Sequence, residues 1–288
     1  MGDDQQRLQE ELPQIVEIAT QWGQDIHLAV TTTDTVLVKG QFKGVPRYAT
    51  AETDPAIFAH NLVVGTTGHY IEKGLEGAYL ALYNRSVRTD IACVNLPGQC
   101  PTNDGDGIAL SCIEGFCSGR NFGFLRDDAE LVIIIVSDEE DGSERPVPFY
   151  VDALANLKAP SSGVGVVIHS IVVTQAGCIG GFGTPGYRYL QATEAFGGHI
   201  SNICGNDFGQ EFLAVGERTF GLTDRFYPSA PVAPGTLVVN VNGEPCTDGW
   251  TQNGATGAVV FEAGSSCFPQ FNDQVDLEYD ILCVSPAP

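Results

Sequence analysis

One short segment constrains the fold more than any other part of this 288-residue chain. Residues 131–136 are six consecutive apolar residues, most of them β-branched, and a serine and four acids from Asp138 to Asp141 follow them. Such a run is typical of a strand buried on both faces of a parallel sheet. Open α/β sheets bind ligands just outside the carboxyl ends of their strands, where Asp138 is expected. Because carboxylate and hydroxyl oxygens suit hard divalent cations, the segment predicts a metal-assisted binding domain.

The first 225 residues read as one α/β domain. Apolar periodicity predicts helices near 3–22, 55–64, 72–83, 149–157 and 187–196, with Pro13 kinking or breaking the first. Strands are predicted at 26–33, 131–136 and 164–173, with a weaker edge strand at 36–42 and a Cys/Gly-rich insertion at 90–122. Strands that alternate with helices predict a Rossmann-like, mostly parallel sheet with helices on both faces.

The pattern changes near residue 225. A Pro-rich stretch at 227–235 is followed by period-2 strands at 236–241, 258–262 and 274–280. Residues 226–288 are therefore predicted to form a small C-terminal all-β extension, separate from the α/β domain at 1–225.

The charge balance excludes some partners. The formal net charge is −22, from 36 acidic and 14 basic residues. Nucleic acids and anionic membranes need clustered Lys and Arg, so neither is expected as a partner. No segment is long and apolar enough to suggest a transmembrane helix.

The nine cysteines favour an oxidising compartment over the cytosol. The candidate disulfide cysteines are Cys93, Cys100, Cys112, Cys117, Cys246 and Cys267. An odd count leaves at least one thiol free, paired between chains, or without its original partner. No signal peptide follows Met1, so we expect the natural start, with an export signal or lipid anchor, to lie upstream.

Several motifs, in order, resemble the von Willebrand factor type A domain of exported and lipid-anchored bacterial surface proteins. They are Val30-Thr31-Thr32-Thr33-Asp34, Gly65-Thr66-Thr67-Gly68 with Glu72 and residues 74–78, the stretch 121–129, residues 133–141, and Gly197-Gly198 with Ile203-Cys204. The resemblance covers about residues 1–225. The extension, with Val238 to Gly243, Trp250 and Tyr279, also resembles one that is common in that branch.

The resemblance implies a metal-ion-dependent adhesion site and binding without bond-breaking. In the family an Asp-x-Ser-x-Ser loop, a Thr and an Asp hold Mg²⁺ or Mn²⁺, and an acidic group of a protein or cell-surface partner completes the coordination. The Thr corresponds to Thr66 or Thr67 and the Asp to Asp138. Asp34, Glu139 and Glu140 are expected near the site. The implied location is extracellular, on the outer cell surface.

The chain departs from the family pattern at its beginning. The Asp-x-Ser-x-Ser loop normally comes immediately before a Met-Gly pair, and this chain starts at Met1-Gly2. The first strand, which the family places between those predicted at 26–33 and 131–136, is therefore expected to be absent. Both neighbours would lose backbone partners, and the chain as it stands is expected to bind metal weakly.

Three other interpretations remain open. A degenerate, metal-free scaffold could bind partners through residues 93–117 or the β extension. A nucleotide-using enzyme could be built on Gly181 to Gly186, which matches G-x-G-x-x-G, although Pro185 removes a backbone donor. Asp104 and Asp106 could form a small Ca²⁺ loop, but a turn-rich disulfide loop accounts for them more simply.

Overall fold

The computed structural model describes residues 2–21, 25–84, 88–94, 100, 110–158, 164–174, 178, 183–205, 210–212, 214–216, 224–254, 256–270 and 273–282. Its helices are α1 (Gly2–Gln21), α2 (Pro55–Ala59), α3 (Gly74–Tyr79), α4 (Val147–Ala155) and α5 (Tyr187–Phe196). A 3₁₀ turn, His60–Leu62, follows α2, and a π-helical turn, Leu80–Asn84, follows α3. No helix among these described residues is long and apolar enough to cross a bilayer.

The strands form five small sheets in the described residues. Their bounds are β1 (His27–Ala29), β2 (Tyr48–Thr50), β3 (Arg88–Ala92), β4 (Ser111–Ile113), β5 (Phe116–Ser118), β6 (Leu131–Ser137), β7 (Val166–Val172), β8 (Ile200–Asn202), β9 (Arg225–Phe226), β10 (Val238–Val241), β11 (Glu244–Cys246), β12 (Trp250–Gln252), β13 (Val259–Phe261) and β14 (Val275–Glu278). One sheet, in the order β6-β7-β8, is parallel, and the other four are antiparallel. The fold is therefore mixed α/β, with parallel pairing confined to one sheet.

The parallel sheet confirms the two apolar strands expected from the sequence, although four of the seven residues of β6 are only half-buried. Leu131 pairs with Val166, and the register continues without a shift to Ser137 and Val172. All seven residues of β7 are buried, and five of them are Val or Ile, with His169 and Ser170 as the buried polar exceptions. Within the described residues, β6 has a strand partner on one side only.

Helices pack on both faces of this sheet. One core contains residues of β6, β7, α3, α4 and α5, among them Leu75, Tyr150 and Phe196. The opposite face of β7 presents Ile171 and Val173 to a second core that includes Leu8 of α1. Pro13 lies within α1 on an exposed position, and the helix continues through it instead of breaking there.

Two strand predictions before residue 50 need correction. The strand predicted at 26–33 is reduced to β1, which pairs antiparallel with β2 and does not join the parallel sheet. The edge strand predicted at 36–42 is wrong, because residues 35–40 form turns. The reason is Asp34, whose Oδ1 accepts hydrogen bonds from the backbone N–H groups of Val36 at 2.9 Å and Leu37 at 2.8 Å.

The Cys-rich insertion and the C-terminal extension are both antiparallel and cross-linked. Four disulfides join Cys93 to Cys112, Cys100 to Cys117, Cys178 to Cys204 and Cys246 to Cys267. All six cysteines chosen from the sequence are bonded among themselves, and Cys178–Cys204 is an additional bridge. The ninth cysteine, Cys283, lies outside the described residues. Four disulfides indicate that the protein forms in an oxidising environment.

Candidate functional site

The end of β6 places Asp138 at the carboxyl edge of the parallel sheet. Its backbone carbonyl accepts a hydrogen bond from the N–H of Thr184 at 2.9 Å. Gly183 has φ of +81°, and a Cβ atom there would lie 2.7 Å from the same carbonyl oxygen. A residue with a side chain at 183 would push the loop away, so the close approach that fixes the backbone of Asp138 requires glycine.

Glu140 is a helix cap in this structure. Its carboxylate accepts hydrogen bonds from the backbone N–H groups of Tyr187 and Arg188, both at 3.1 Å, in the first turn of α5. The backbone N–H of Glu140 donates to Thr184 Oγ1 at 2.9 Å. A negative carboxylate at a helix N-terminus satisfies orphan donors and complements the helix dipole. Glu140 therefore holds α5 against the strand end.

The loop that carries Thr66 and Thr67 is held by α1. The side chain of Gln5 donates to the carbonyl of Gly65 at 3.1 Å and accepts from its N–H at 2.9 Å. A Cβ atom on Gly2 would lie 3.9 Å from Thr66 Cγ2, so the first turn of α1 is beside that threonine. Both threonines are exposed, which leaves their hydroxyl groups accessible from solvent.

Asp34 is a buried structural carboxylate that fixes the same loop from the other side. Its Oδ2 accepts from the backbone N–H of His69 at 3.1 Å, while Oδ1 serves the turn at 36–37. Burial alone would raise the pKa of Asp34, but the three backbone donors and the nearby His69 lower it overall. Both carboxylate oxygens of Asp34 thus accept hydrogen bonds from backbone N–H groups.

Glu72 lies at the centre of this edge, although the sequence marked it only as part of a motif and not as a site residue. Its Oε2 accepts a hydrogen bond from Ser137 Oγ at 2.6 Å, and its backbone carbonyl accepts from the N–H of Gly142 at 2.7 Å. Burial raises its pKa, and the neighbouring negative charges of Asp138 and Glu139 raise it further. We call Glu72, Asp138 and Glu139 the acidic cluster.

The basic residues beside the acidic cluster are bonded to other acids. Lys73 Nζ lies 2.8 Å from Glu144 Oε1, and Arg188 Nε lies 2.9 Å from the buried Asp141 Oδ2. The negative charges of Asp138 and Glu139 raise the pKa of Glu72, and the positive charge of the N-terminus lowers it. The strand end therefore carries three neighbouring carboxylates, while Lys73 and Arg188 form their ion pairs with other acids.

The described residues do not show a complete metal-ligand set at this edge. Of all their His, Cys, Asp and Glu side chains, the three whose ligand atoms converge within 4.8 Å are Cys93, Cys100 and Cys117. Those sulfurs are disulfide-bonded, so they offer no thiolate to a metal. Asp104 and Asp106 lie outside the described residues.

The glycine loop before α5 is mostly engaged with the protein. Gly181 is outside the described residues. In the part from Gly183 to Gly186, the backbone N–H groups of Thr184 and Gly186 donate to carbonyl groups of the protein. Thr184 donates to Asp138 and Gly186 to the carbonyl of Val173 at 3.0 Å. With the first turn of α5 also capped by Glu140, these donors are already used, and a nucleotide phosphate would have to displace them.

Replacing Glu72 by Gln is expected to stabilise the protein at neutral pH. A carboxyl whose folded pKa is raised destabilises the fold above that pKa, and the cost disappears as pH falls below the ordinary value. The gain of Glu72→Gln should therefore shrink as pH falls through the folded pKa and vanish in acid. Chemical unfolding of both proteins across this pH range measures it. A gain that persists unchanged in acid would contradict this account.

No family model, curated protein or solved structure matches the chain. The site is therefore interpreted from its own geometry and charge.

Proposed function

We propose that this protein is a divalent-cation-dependent binding domain of an extracytoplasmic surface protein, and not an enzyme. Asp138 with Thr66 or Thr67 would hold Mg²⁺ or Mn²⁺, and a carboxylate of a protein or cell-surface partner would complete the coordination. In this proposal the parallel sheet with helices on both faces is a Rossmann-like core of the von Willebrand A type.

The observation that carries the proposal is the repulsion that Asp138 and Glu139 exert on the Glu72 carboxylate within the acidic cluster. Asp138 and Glu139 raise the pKa of Glu72, which means that their negative charges disfavour the ionised form of the Glu72 carboxyl. A bound cation would reverse this repulsion, since it is the largest local charge in such a site. Carboxylate and threonine hydroxyl oxygens are the kind of donor that Mg²⁺ and Mn²⁺ prefer.

The residues at the strand end have separate roles in this proposal. Glu140 and Asp34 keep the surrounding loops in place through backbone hydrogen bonds, so neither is assigned as a ligand. Ser137 donates to Glu72 and so orients the carboxylate whose pKa Asp138 raises. The bound ion would supply a positive charge to which a negatively charged partner can bind, despite the acidity of the chain.

Thermal unfolding in Mg²⁺ or Mn²⁺ tests the proposal. An ion at ten times its dissociation constant should stabilise the protein by about 1.4 kcal/mol. For a chain of this size, with an unfolding entropy of about 2.1 cal/mol/K per residue, this stabilisation corresponds to a rise in Tm of about 2 °C. Asp138→Asn should abolish the response. Asp152→Asn, an isosteric change at an exposed position of α4, should retain it.

Sodium chloride at matched ionic strength controls for screening of the net charge. An equal response in Asp138→Asn and Asp152→Asn would mean that the cation acts only as a diffuse counter-ion, and would refute the site. The second candidate, a metal-free scaffold, is favoured by the lack of a converging carboxylate set in the described residues. It predicts no specific response to either ion in any variant.

A further inference from the structure

Two disulfides of the Cys-rich insertion lie unusually close together. The Sγ atoms of Cys93, Cys100 and Cys117 are all within 4.8 Å of one another, although they belong to two different bonds. The strands explain this proximity: Ala92 at the end of β3 pairs with Phe116 of β5, and the next N–H, of Cys93, donates to Gly115 at 2.9 Å. Cys93 is thereby held beside Cys117.

Each of these disulfides joins one buried cysteine to one half-exposed cysteine. Cys117 is fully buried and Cys93 is 7% exposed, whereas their partners Cys100 and Cys112 are half-exposed. An external thiolate reaches a disulfide at its accessible sulfur and expels the other one. In both bonds the sulfur expelled first would therefore be the buried one.

We propose that Cys93, Cys100, Cys112 and Cys117 form a single thiol–disulfide exchange centre, whose co-reactant is an external dithiol. A two-electron reduction of this centre ends with a new bond between Cys93 and Cys117 and with free thiols at Cys100 and Cys112. The centre involves no residue of the acidic cluster, so it does not depend on the proposed metal site.

The reaction balances over three thiol–disulfide exchange steps. A thiolate of the dithiol attacks Cys112 Sγ and the Cys93 thiolate leaves; the second thiol of the reagent then releases Cys112 and closes the reagent's own disulfide. The Cys93 thiolate attacks Cys117 Sγ, and Cys100 leaves as a thiolate. The dithiol is oxidised, one protein disulfide is lost in total, and the two protons of the dithiol end on Cys100 and Cys112.

Attack at the other half-exposed sulfur gives the same product. When the dithiol reacts at Cys100, the Cys117 thiolate leaves and attacks Cys93 Sγ, and Cys112 is released. Both routes place the remaining bond between the two buried residues and the thiols at the two half-exposed ones. Burial disfavours a thiolate. The state with the Cys93–Cys117 bond has its thiols on half-exposed residues only, so it is favoured over a state that keeps one native bond and leaves a thiolate on a buried cysteine.

Limited reduction followed by rapid alkylation tests the exchange. The protein is treated with substoichiometric dithiothreitol, quenched with N-ethylmaleimide, and mapped by mass spectrometry of its proteolytic peptides. The principal two-thiol species of the insertion should carry labels on Cys100 and Cys112 and contain a peptide pair joined through Cys93 and Cys117. Labels on a native pair, Cys93 with Cys112 or Cys100 with Cys117, would overturn the proposal.

Two controls separate directed exchange from general scrambling. The same digest reports Cys178–Cys204 and Cys246–Cys267, each of which should be labelled only as its native pair. A Cys283→Ser variant treated in parallel removes the ninth cysteine as an internal attacking thiol and should give the same product. Loss of the exchanged pair in Cys283→Ser would show that Cys283 drives it and would refute a self-contained centre.

Discussion

Asn121→Ala should lower the free energy of unfolding by about 3–5 kcal/mol, because it removes the three hydrogen bonds that this buried amide makes to the backbone. The Asn121 side chain is fully buried. Its Oδ1 accepts from the N–H of Phe42 at 3.0 Å, and its Nδ2 donates to the carbonyls of Gly40 at 2.8 Å and Ala81 at 3.0 Å. One amide therefore joins the turn before residue 42 to the π-helical turn after α3.

The measurement is urea-induced unfolding, monitored by fluorescence with the disulfides intact. Asn156→Ala is the matched control, since Asn156 is exposed and its Nδ2 makes one hydrogen bond to the carbonyl of Asp152. Its midpoint should stay close to that of the unmodified protein. A loss for Asn121→Ala no larger than for Asn156→Ala would show that the loops adapt and that the amide is dispensable.

Asp141→Ala is expected to have an effect of similar size, about 3 kcal/mol, since it removes one partner of a buried ion pair. The Asp141 side chain has no exposed surface, whereas that of Arg188 is 28% exposed, which places the expected loss at the lower end of the usual range. Asp141 Oδ1 also accepts from Ser143 Oγ at 2.7 Å and from the N–H of Leu75 at 3.3 Å. The change would leave these donors and the guanidinium without a carboxylate.

Glu144→Ala provides the comparison for Asp141→Ala. It removes the exposed partner of Lys73, and solvent screens an exposed pair of this kind. We expect Glu144→Ala to leave the unfolding midpoint nearly unchanged while Asp141→Ala shifts it strongly. Equal shifts in the two variants would mean that Asp141 contributes no more than a surface charge.

The parts of the fold that were predictable are those in which burial dictates residue type. The runs at 131–136 and 164–173 are apolar because β6 and β7 lie between two cores, and helix periodicity located α1 and α5. The strand prediction at 36–42 is wrong because a single side chain overrides the apolar pattern. Val36 to Phe42 reads as a strand, but Asp34 binds the backbone at 36 and 37 and turns the chain.

The position of Asp138 in the fold was predictable, but the contacts around it were not. A strand ending in acids located Asp138 at the sheet edge, because strand direction alone decides that. The capping role of Glu140 depends on α5, which begins 47 residues later at Tyr187. The pairing of Glu72 with Ser137 spans 65 residues. Contacts at such separations leave no local pattern, and neither does the bond between Cys178 and Cys204.

Among the described residues β6 has a strand neighbour on one side only, and this affects how the protein behaves in concentrated solution. A seven-residue strand rich in β-branched residues, with a strand partner on one side only in the described chain, is a template on which another extended chain can add. At low ionic strength the net charge of −22 keeps two molecules apart. Salt shortens the Debye length to about 10 Å at 0.1 M, so added salt removes this protection. The protein should therefore remain dispersed longest in dilute buffer, and its tendency to associate through β6 should rise with ionic strength.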